Sequence, residues 1–338
     1  MLRFVTFLLC VTWLATVNGQ DSHKVVETNS GNVKGQLEKT LWLETPFYSF
    51  RGIPYAKAPI GKLRFKAPEP IKKWKGVRNA FKYGNKCAQR FAIFNEKSED
   101  CLFLNVFVPA IKNEKEKLPV SLVLHAGLFA GGSGDEILPD FTVESDIILV
   151  TVNYRLGILG FLSLGTPKYS GNMALKDQQL AMKWIHENIE AFGGDNKRIT
   201  IIGVSAGGKA NGFHLLNEES SKYFNQQITM SATSNNIYSL NNGDHRCMME
   251  IFYAKHNSGK SNLTKLIDFL EKANVDDILN FNQNAISGLI SPWTPIIEKT
   301  NAKRSFFTED PMTKFQTTKS INKVAFFTST QYVSLKYW

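Results

Sequence analysis

Gly203-Val204-Ser205-Ala206-Gly207 constrains this chain more than any other stretch. It follows Arg198-Ile199-Thr200-Ile201-Ile202, a β-branched run that reads as a buried strand. It precedes Gly208 to Leu216, which reads as a helix. Strand, tight Gly-x-Ser-x-Gly turn and helix together make a nucleophile elbow. The two glycines are needed because the backbone doubles back where a Cβ would collide. The elbow implies acyl transfer through a serine. A serine hydroxyl alone is a weak nucleophile, so a base and an orienting acid must come from elsewhere in the chain.

The rest of the chain alternates strands with helices. Residues 24–37 and 45–53 alternate in the manner of antiparallel strands. Leu102–Val108, Val120–His125, Ile147–Asn153, Ile228–Ala232 and Lys323–Thr328 read as further strands. Lys176–Phe192 carries Leu180, Trp184, Ile185 and Ile189 at helical spacing and ends at Gly193-Gly194, a C-cap signal. Residues 246–285 read as a polar helical cap region. The pattern predicts an α/β fold: one doubly wound, mostly parallel sheet after an antiparallel start, with no internal repeat and no interdomain linker.

Bulk properties narrow the partners. The 338 residues carry a net charge of +10, and their lysines are scattered. That is read as a solvated basic surface, with no nucleic-acid partner expected. Met1–Gly19 has Arg3, an apolar run and small residues before Gly19, so it reads as a secretory signal peptide, followed by one domain over residues 20–338. No transmembrane segment is expected. The predicted location is extracellular, with Asn262-Leu263-Thr264 as a glycosylation sequon. Cys10 would leave with the signal. Cys87 and Cys101 can close a disulfide, leaving Cys247 either buried and inert or the orphan of a missing partner.

Many segments in order resemble the type B carboxylesterases, the family of cholinesterases and insect secreted esterases. They include Phe50-Arg51-Gly52-Ile53-Pro54-Tyr55-Ala56, Gly61 with Arg64-Phe65, and Ser98-Glu99-Asp100-Cys101-Leu102. Asn153-Tyr154-Arg155-Leu156-Gly157, Gly171-Asn172, Leu175-Lys176-Asp177-Gln178 and Phe192-Gly193-Gly194-Asp195 continue the match. The resemblance implies an α/β-hydrolase fold and hydrolysis of small-molecule carboxylic esters, with neither metal nor other cofactor. It implies a Cys87–Cys101 disulfide and structural ion pairs Arg51 with Glu99 and Arg155 with Asp177, all scaffolding rather than catalysis.

The resemblance makes Ser205 the nucleophile and gives the oxyanion hole to the amides of Gly127, Leu128 and Ala206. Such donors are worth about 3–4 kcal/mol each. Three residues depart from the family. Val204 replaces the usual glutamate and makes the site drier. Ala126 and Leu128 replace two glycines of His-Gly-Gly-Gly-Phe, and Leu128 should narrow the acyl site. The family's acid falls at Val333 or Ser334, and the chain has no carboxylate after Asp310. The base should lie further downstream, where the chain has already ended. None of the present histidines reads as a substitute. His125 opens the oxyanion loop, His214 reads as a core residue and His186 lies on the preceding helix. His23, His245 and His256 lie in surface-like segments.

Three readings compete: a C-terminally truncated esterase with severely impaired activity, a secreted non-catalytic relative that binds a protein partner, or an incomplete gene product. The fold is expected to lack its C-terminal strands and helices. An uncovered final apolar strand then predicts poor solubility or oligomerisation.

Overall fold

The computed structural model describes residues 21–90, 97–110, 116–234, 239–241, 245–259, 261–285, 291–299, 304–318 and 323–329. The expected signal peptide and the positions Val333 and Ser334 lie outside these residues. One ten-stranded sheet organises the chain. Its strands are β1 (His23–Thr28), β2 (Gly31–Lys39), β3 (Pro46–Pro54), β4 (Val77–Asn79) and β5 (Phe103–Pro109). They continue as β6 (Leu118–Leu124), β7 (Ile148–Val152), β8 (Gly194–Val204), β9 (Gln226–Met230) and β10 (Val324–Thr328). The spatial order is β1-β2-β3-β5-β7-β6-β8-β9-β10, with β4 beside β2.

The two halves of the sheet obey different rules. From β1 through β3 and β5 to β7 the neighbours are antiparallel. β2 alternates buried with half-buried residues because only one of its faces is covered. From β7 through β6, β8 and β9 to β10 the neighbours are parallel. At the centre of the sheet, where helices cover both faces, all five residues of β7 are buried. That is why Ile148-Leu149-Val150-Thr151-Val152 reads as a continuous run rather than an alternation.

Helices α1 (Asp140–Glu144), α2 (Gly157–Phe161), α3 (Met173–Asn188) and α4 (Ala206–Leu216) flank the sheet. The cap region divides into α5 (His245–His256), α6 (Leu263–Lys272) and α7 (Val275–Ala285), and α8 spans Pro311–Thr317. α3 starts earlier than its apolar periodicity predicts, because Asn172 at φ 60° turns the chain into it. Its last turn tightens to a 3-10 turn over Ile189–Phe192 and stops at Gly193, φ 88°. The core is continuous. Trp184, Ile185 and Ile189 from this helix meet Phe50, Val120 and Ile201 from the sheet in one buried cluster.

Cys87 and Cys101 form a disulfide with an S–S distance of 2.02 Å. Cys247 lies exposed on α5, which overturns its reading as a buried, inert thiol. Arg155 and Asp177 make a bidentate pair, Nε to Oδ2 and Nη2 to Oδ1, both 2.7 Å, with the Asp177 side chain fully buried. This pair clamps the chain leaving β7 onto α3.

The other expected pair is corrected. Arg51 does not meet Glu99. Arg51 lies on β3 and its Nη2 reaches Glu38 on the neighbouring β2 at 2.5 Å, while its guanidinium lies 4.9 Å from the Tyr83 ring. Glu99 sits beside the disulfide and is gripped by Arg64, which donates Nε to Oε1 at 2.6 Å and Nη2 to Oε2. Arg64 Nη1 also donates to the carbonyls of Leu270 and Ala273 at 3.0 and 2.7 Å, satisfying the exposed end of α6. A nearly buried carboxylate takes the guanidinium that its own loop packs against.

β10 pairs with β9 on one side, and all five of its residues are exposed. Among the described residues nothing covers Phe326 or Phe327, which are 60 % and 54 % exposed.

Candidate active site

The elbow forms where β8 passes into α4. Ser205 sits between them at φ 53°, ψ −115°, a conformation that costs an L-residue about 1–3 kcal/mol. Its surroundings hold it there. The Ser205 amide donates to Met230 O on β9 at 2.9 Å, and the Lys209 amide donates to Ser205 O at 2.9 Å. The glycines are required by contact. A Cβ on Gly203 would stand 2.3 Å from the Gly207 carbonyl, and one on Gly207 would stand 2.1 Å from Leu124 O. The first turn of α4 is therefore pressed against the carboxyl end of β6. This brings the first turn of α4 beside the start of the loop that leaves β6.

That loop begins at His125. Gly127 adopts φ 113°, and a Cβ there would lie 2.2 Å from Gly131 O. Leu128 and Phe129 follow at φ 57° and 58°, both left-handed. The amides of Ala130 and Gly131 donate to Gly127 O, closing the loop on itself. Phe129 anchors it from below: its ring packs edge-on against Phe161 at 4.9 Å, and its carbonyl accepts from the Gly157 amide at 2.7 Å. Leu128 is thus a branched, partly buried residue held where glycine is preferred. Val204, 38 % exposed, brings a second apolar side chain beside Ser205.

His125 belongs to the frame of this loop. It is buried, stacked on Tyr154 with ring centroids 4.1 Å apart, and its Nδ1 lies 2.8 Å from Ala126 O. Tyr154 Oη donates to His125 O at 2.7 Å. Burial pushes the His125 pKa down to about 4, so the ring is neutral near pH 7. Tyr154 was not singled out from the sequence, though it stands in one of the matched segments.

The other histidines are engaged away from Ser205. His214 lies on α4, buried, with Nδ1 2.9 Å from Ser220 Oγ and Nε2 2.9 Å from Gln178 Oε1. Burial pushes its pKa down to about 3. His245 corrects its reading as a surface residue. It is 3 % exposed and its Nδ1 accepts from the Ser163 amide at 3.1 Å, because the start of α5 folds under the 163–170 hairpin. His256 Nδ1 meets Phe252 O, His23 meets Ser22 Oγ, and His186 packs against Tyr223. The Ser205 hydroxyl has no hydrogen-bond partner among the described residues. Two cavities, about 350 Å³ against Ser163 and His245 and about 290 Å³ against Phe213 and Phe307, are not lined by Ser205.

One buried network had no local sequence signal. Lys176 Nζ reaches Glu298 Oε2 at 2.7 Å, and Glu298 Oε1 accepts from Asn172 Nδ2 and from the Phe306 amide. It ties Glu298 and Phe306 to the start of α3, across a separation of more than a hundred residues.

A strained serine on a strand–turn–helix joint, facing a glycine-bearing loop from the adjacent parallel strand, is the arrangement expected of an acyl-transfer site. The carboxylesterase family model matches residues 22–334. The chain belongs to the carboxylesterase family. It is 45 % identical over 223 residues to juvenile hormone esterase of Tribolium castaneum, covering 64 % of this chain and 38 % of that protein. It is 40 % identical over 215 residues to venom carboxylesterase-6 of Apis mellifera, covering 62 % and 38 %. It is 37 % identical over 286 residues to esterase B1 of Culex pipiens, covering 81 % and 52 %. The chain therefore spans about half or less of the length of these relatives.

Proposed function

We propose that this chain carries the nucleophile and oxyanion half of a serine carboxylic-ester hydrolase site, with a small-molecule ester as the substrate class. Ser205 is the nucleophile, and the amides of Gly127, Leu128 and Ala206 are the oxyanion donors. The observation that carries the reading is the backbone of Ser205, held at φ 53° by Met230 O and by glycines that tolerate no Cβ. A turn that serves only to connect a strand to a helix has no need of that strain.

The same reading gives this chain, on its own, acylation with little turnover. Among the described residues no histidine hydrogen bond reaches Ser205, and Leu128 and Val204 narrow and dry the rim. Those two residues also favour a second reading, a non-catalytic esterase-like protein that binds a protein partner. The chain is read as secreted, on its leader-like first nineteen residues, its disulfide, and the absence among the described residues of a helix able to cross a membrane. Asn262 is exposed, and its Oδ1 caps α6 at the Lys265 amide, so a glycan on Nδ2 would leave the cap in place.

The test uses a fluorophosphonate and p-nitrophenyl acetate on the full chain and on Ser205→Ala. The expected result is stoichiometric labelling of Ser205, none of the variant, and equal turnover by both. A folded chain that resists labelling refutes the nucleophile assignment. Ser205-dependent turnover refutes the impaired state and leaves the nucleophile standing.

A further inference from the structure

The loop that follows β6 lies outside the sheet, so the backbone at its exit needs hydrogen-bond partners other than a strand. Gln89 supplies them. Its Nε2 donates to Gly132 O at 2.9 Å and to Cys87 O at 3.1 Å, and its Oε1 accepts the Gly132 amide at 2.9 Å. The residue is 4 % exposed, and both N–H groups of its amide are used. A primary amide thus gives Gly132 the donor and the acceptor that a neighbouring strand would give.

Gly132 carries that grip into the loop. It adopts φ 100°, and a Cβ there would stand 2.5 Å from Ala126 O and from His125 Nδ1. Gly131 before it lies so close to Gly127 that a Cβ on Gly127 would stand 2.2 Å from Gly131 O. The end of the loop is therefore packed onto its beginning, and a shift of Gly132 displaces Ala126 and Gly127. Gln89 is itself held from the other side. It stands two residues after Cys87, which the disulfide ties to Cys101. Two further links join the same segment to the loop exit. Asn153 bridges Asn85 O, at 3.0 Å, to the Gly134 amide, at 2.8 Å. Lys86 Nζ meets Asp135 and Glu136, both at 3.3 Å.

We propose that Gln89 is a positioning residue for the oxyanion donors, acting through Gly132 on the amides of Gly127 and Leu128. This rests on the reading of those amides as oxyanion donors and of Ser205 as the nucleophile. Among the described residues the side chain of Gln89 bonds only Cys87 and Gly132, so its effect lies in where the donors point. A fluorophosphonate reports on that effect. Ser205 Oγ forms a bond to phosphorus, fluoride leaves with the electron pair of the P–F bond, and the hydroxyl proton passes to solvent. The phosphoryl oxygen gathers charge during this step, and donors hold that charge only from fixed positions. The loss from a displaced loop therefore falls on bond formation rather than on capture of the reagent.

The experiment measures fluorophosphonate labelling of Ser205 in the full chain, as a saturating rate constant and a half-saturating concentration. Hydrogen exchange of the Ala130 and Gly131 amides, which close the loop on Gly127 O, is followed alongside. Gln89→Met should lower the rate constant by about ten- to a hundredfold and leave half-saturation within about twofold. It should also speed exchange at Ala130 and Gly131. Gln89→Glu is rescued by acid. Protonated, its hydroxyl donates to Gly132 O while its other oxygen accepts the Gly132 amide; ionised, it has no donor for Gly132 O. Its rate relative to wild type should therefore climb toward one as the pH falls. Lys86, Asp135, Glu136 and His125 pack around the same loop exit in both proteins and cancel in that ratio. Glu298→Gln breaks a buried pair elsewhere and controls for lost stability; it should leave the rate constant and the exchange unchanged. The proposal is overturned by wild-type labelling in folded Gln89→Met, by a loss confined to half-saturation, or by an equal loss in Glu298→Gln. It is also overturned by a Gln89→Glu ratio that ignores pH, the deciding result where Gln89→Met does not fold. A wild-type chain that does not label overturns the nucleophile reading and this proposal together, whereas a labelling wild type with an unaffected Gln89→Met overturns this proposal alone.

Discussion

Exchanging Arg64 for methionine tests the ion-pair assignment most directly. Arg64 makes four contacts, two to Glu99 and two to the carbonyls of Leu270 and Ala273. The Arg64 and Glu99 side chains are only 9 % and 13 % exposed. Arg64→Met therefore leaves a nearly buried carboxylate and two helix-end carbonyls without their donor, and breaking such a pair costs about 3–5 kcal/mol. At about 2–4 °C per kcal/mol for a large domain, the unfolding midpoint should fall by roughly 6–20 °C. Arg51→Met should cost less, about 1–2 kcal/mol, because the Arg51–Glu38 pair is more exposed and part of the loss is packing on Tyr83. The assay is a pair of double-mutant cycles read by urea unfolding, with Glu99→Gln combined in turn with each arginine change. Arg64 and Glu99 should couple by about 2 kcal/mol, and Arg51 and Glu99 by less than about 0.5 kcal/mol. The reverse ordering would refute the correction and restore the pairing implied by the resemblance.

Three further perturbations bear on the same structure. His214 is held neutral by burial, with its pKa pushed from an unfolded value of about 6.5 down to about 3. Its contribution is thus fully present above pH 6.5 and is lost as the pH falls toward 3; between pH 7 and pH 5 it should remove about 2 kcal/mol of stability, a loss added to that from His125, so urea titrations of His214→Gln should show a correspondingly smaller fall. Leu128→Gly should relieve the left-handed backbone at φ 57° and raise stability by up to about 1 kcal/mol, while speeding fluorophosphonate labelling of Ser205 as the rim opens. Slower labelling in that variant would contradict the reading of Leu128 as an obstruction. Removing the disulfide with Cys87→Ala and Cys101→Ala, which closes a sequence separation of 14, should cost about 3 kcal/mol by thermal unfolding.

The elbow was legible because its requirements are local. Gly203, Ser205 and Gly207 obey backbone sterics that any chain making that turn must meet, and the β-branched run before them reads as a buried strand. The glycine-poor loop at Leu128 was legible for the same reason, as a Cβ in a place that favours none. Less was legible where a residue's role depends on what packs against it from far along the chain. Glu99 had two arginines within the matched segments, and only the packed loop decides that Arg64 rather than Arg51 grips it. His245 sits in a polar stretch, yet the 163–170 hairpin covers it. Glu298 carries no motif at all and becomes structural only because Lys176 and Asn172 meet it.

By itself, the sequence determined the α/β class, the order of strands and helices along the chain, and the glycine-bounded turn at Ser205. These follow from periodicity and from the steric demands of short segments, which act over a few residues. The tertiary structure alone decided which partner a buried charge takes, that His245 is covered, and which apolar side chains remain in water. Those outcomes depend on desolvation, which is fixed only when distant segments close around a group. Trp42 shows the difference. In the sequence it is one aromatic between two strand-like stretches. In the fold it is held outward by Asp140 and Glu144, a hundred residues away, at the end of the sheet farthest from Ser205.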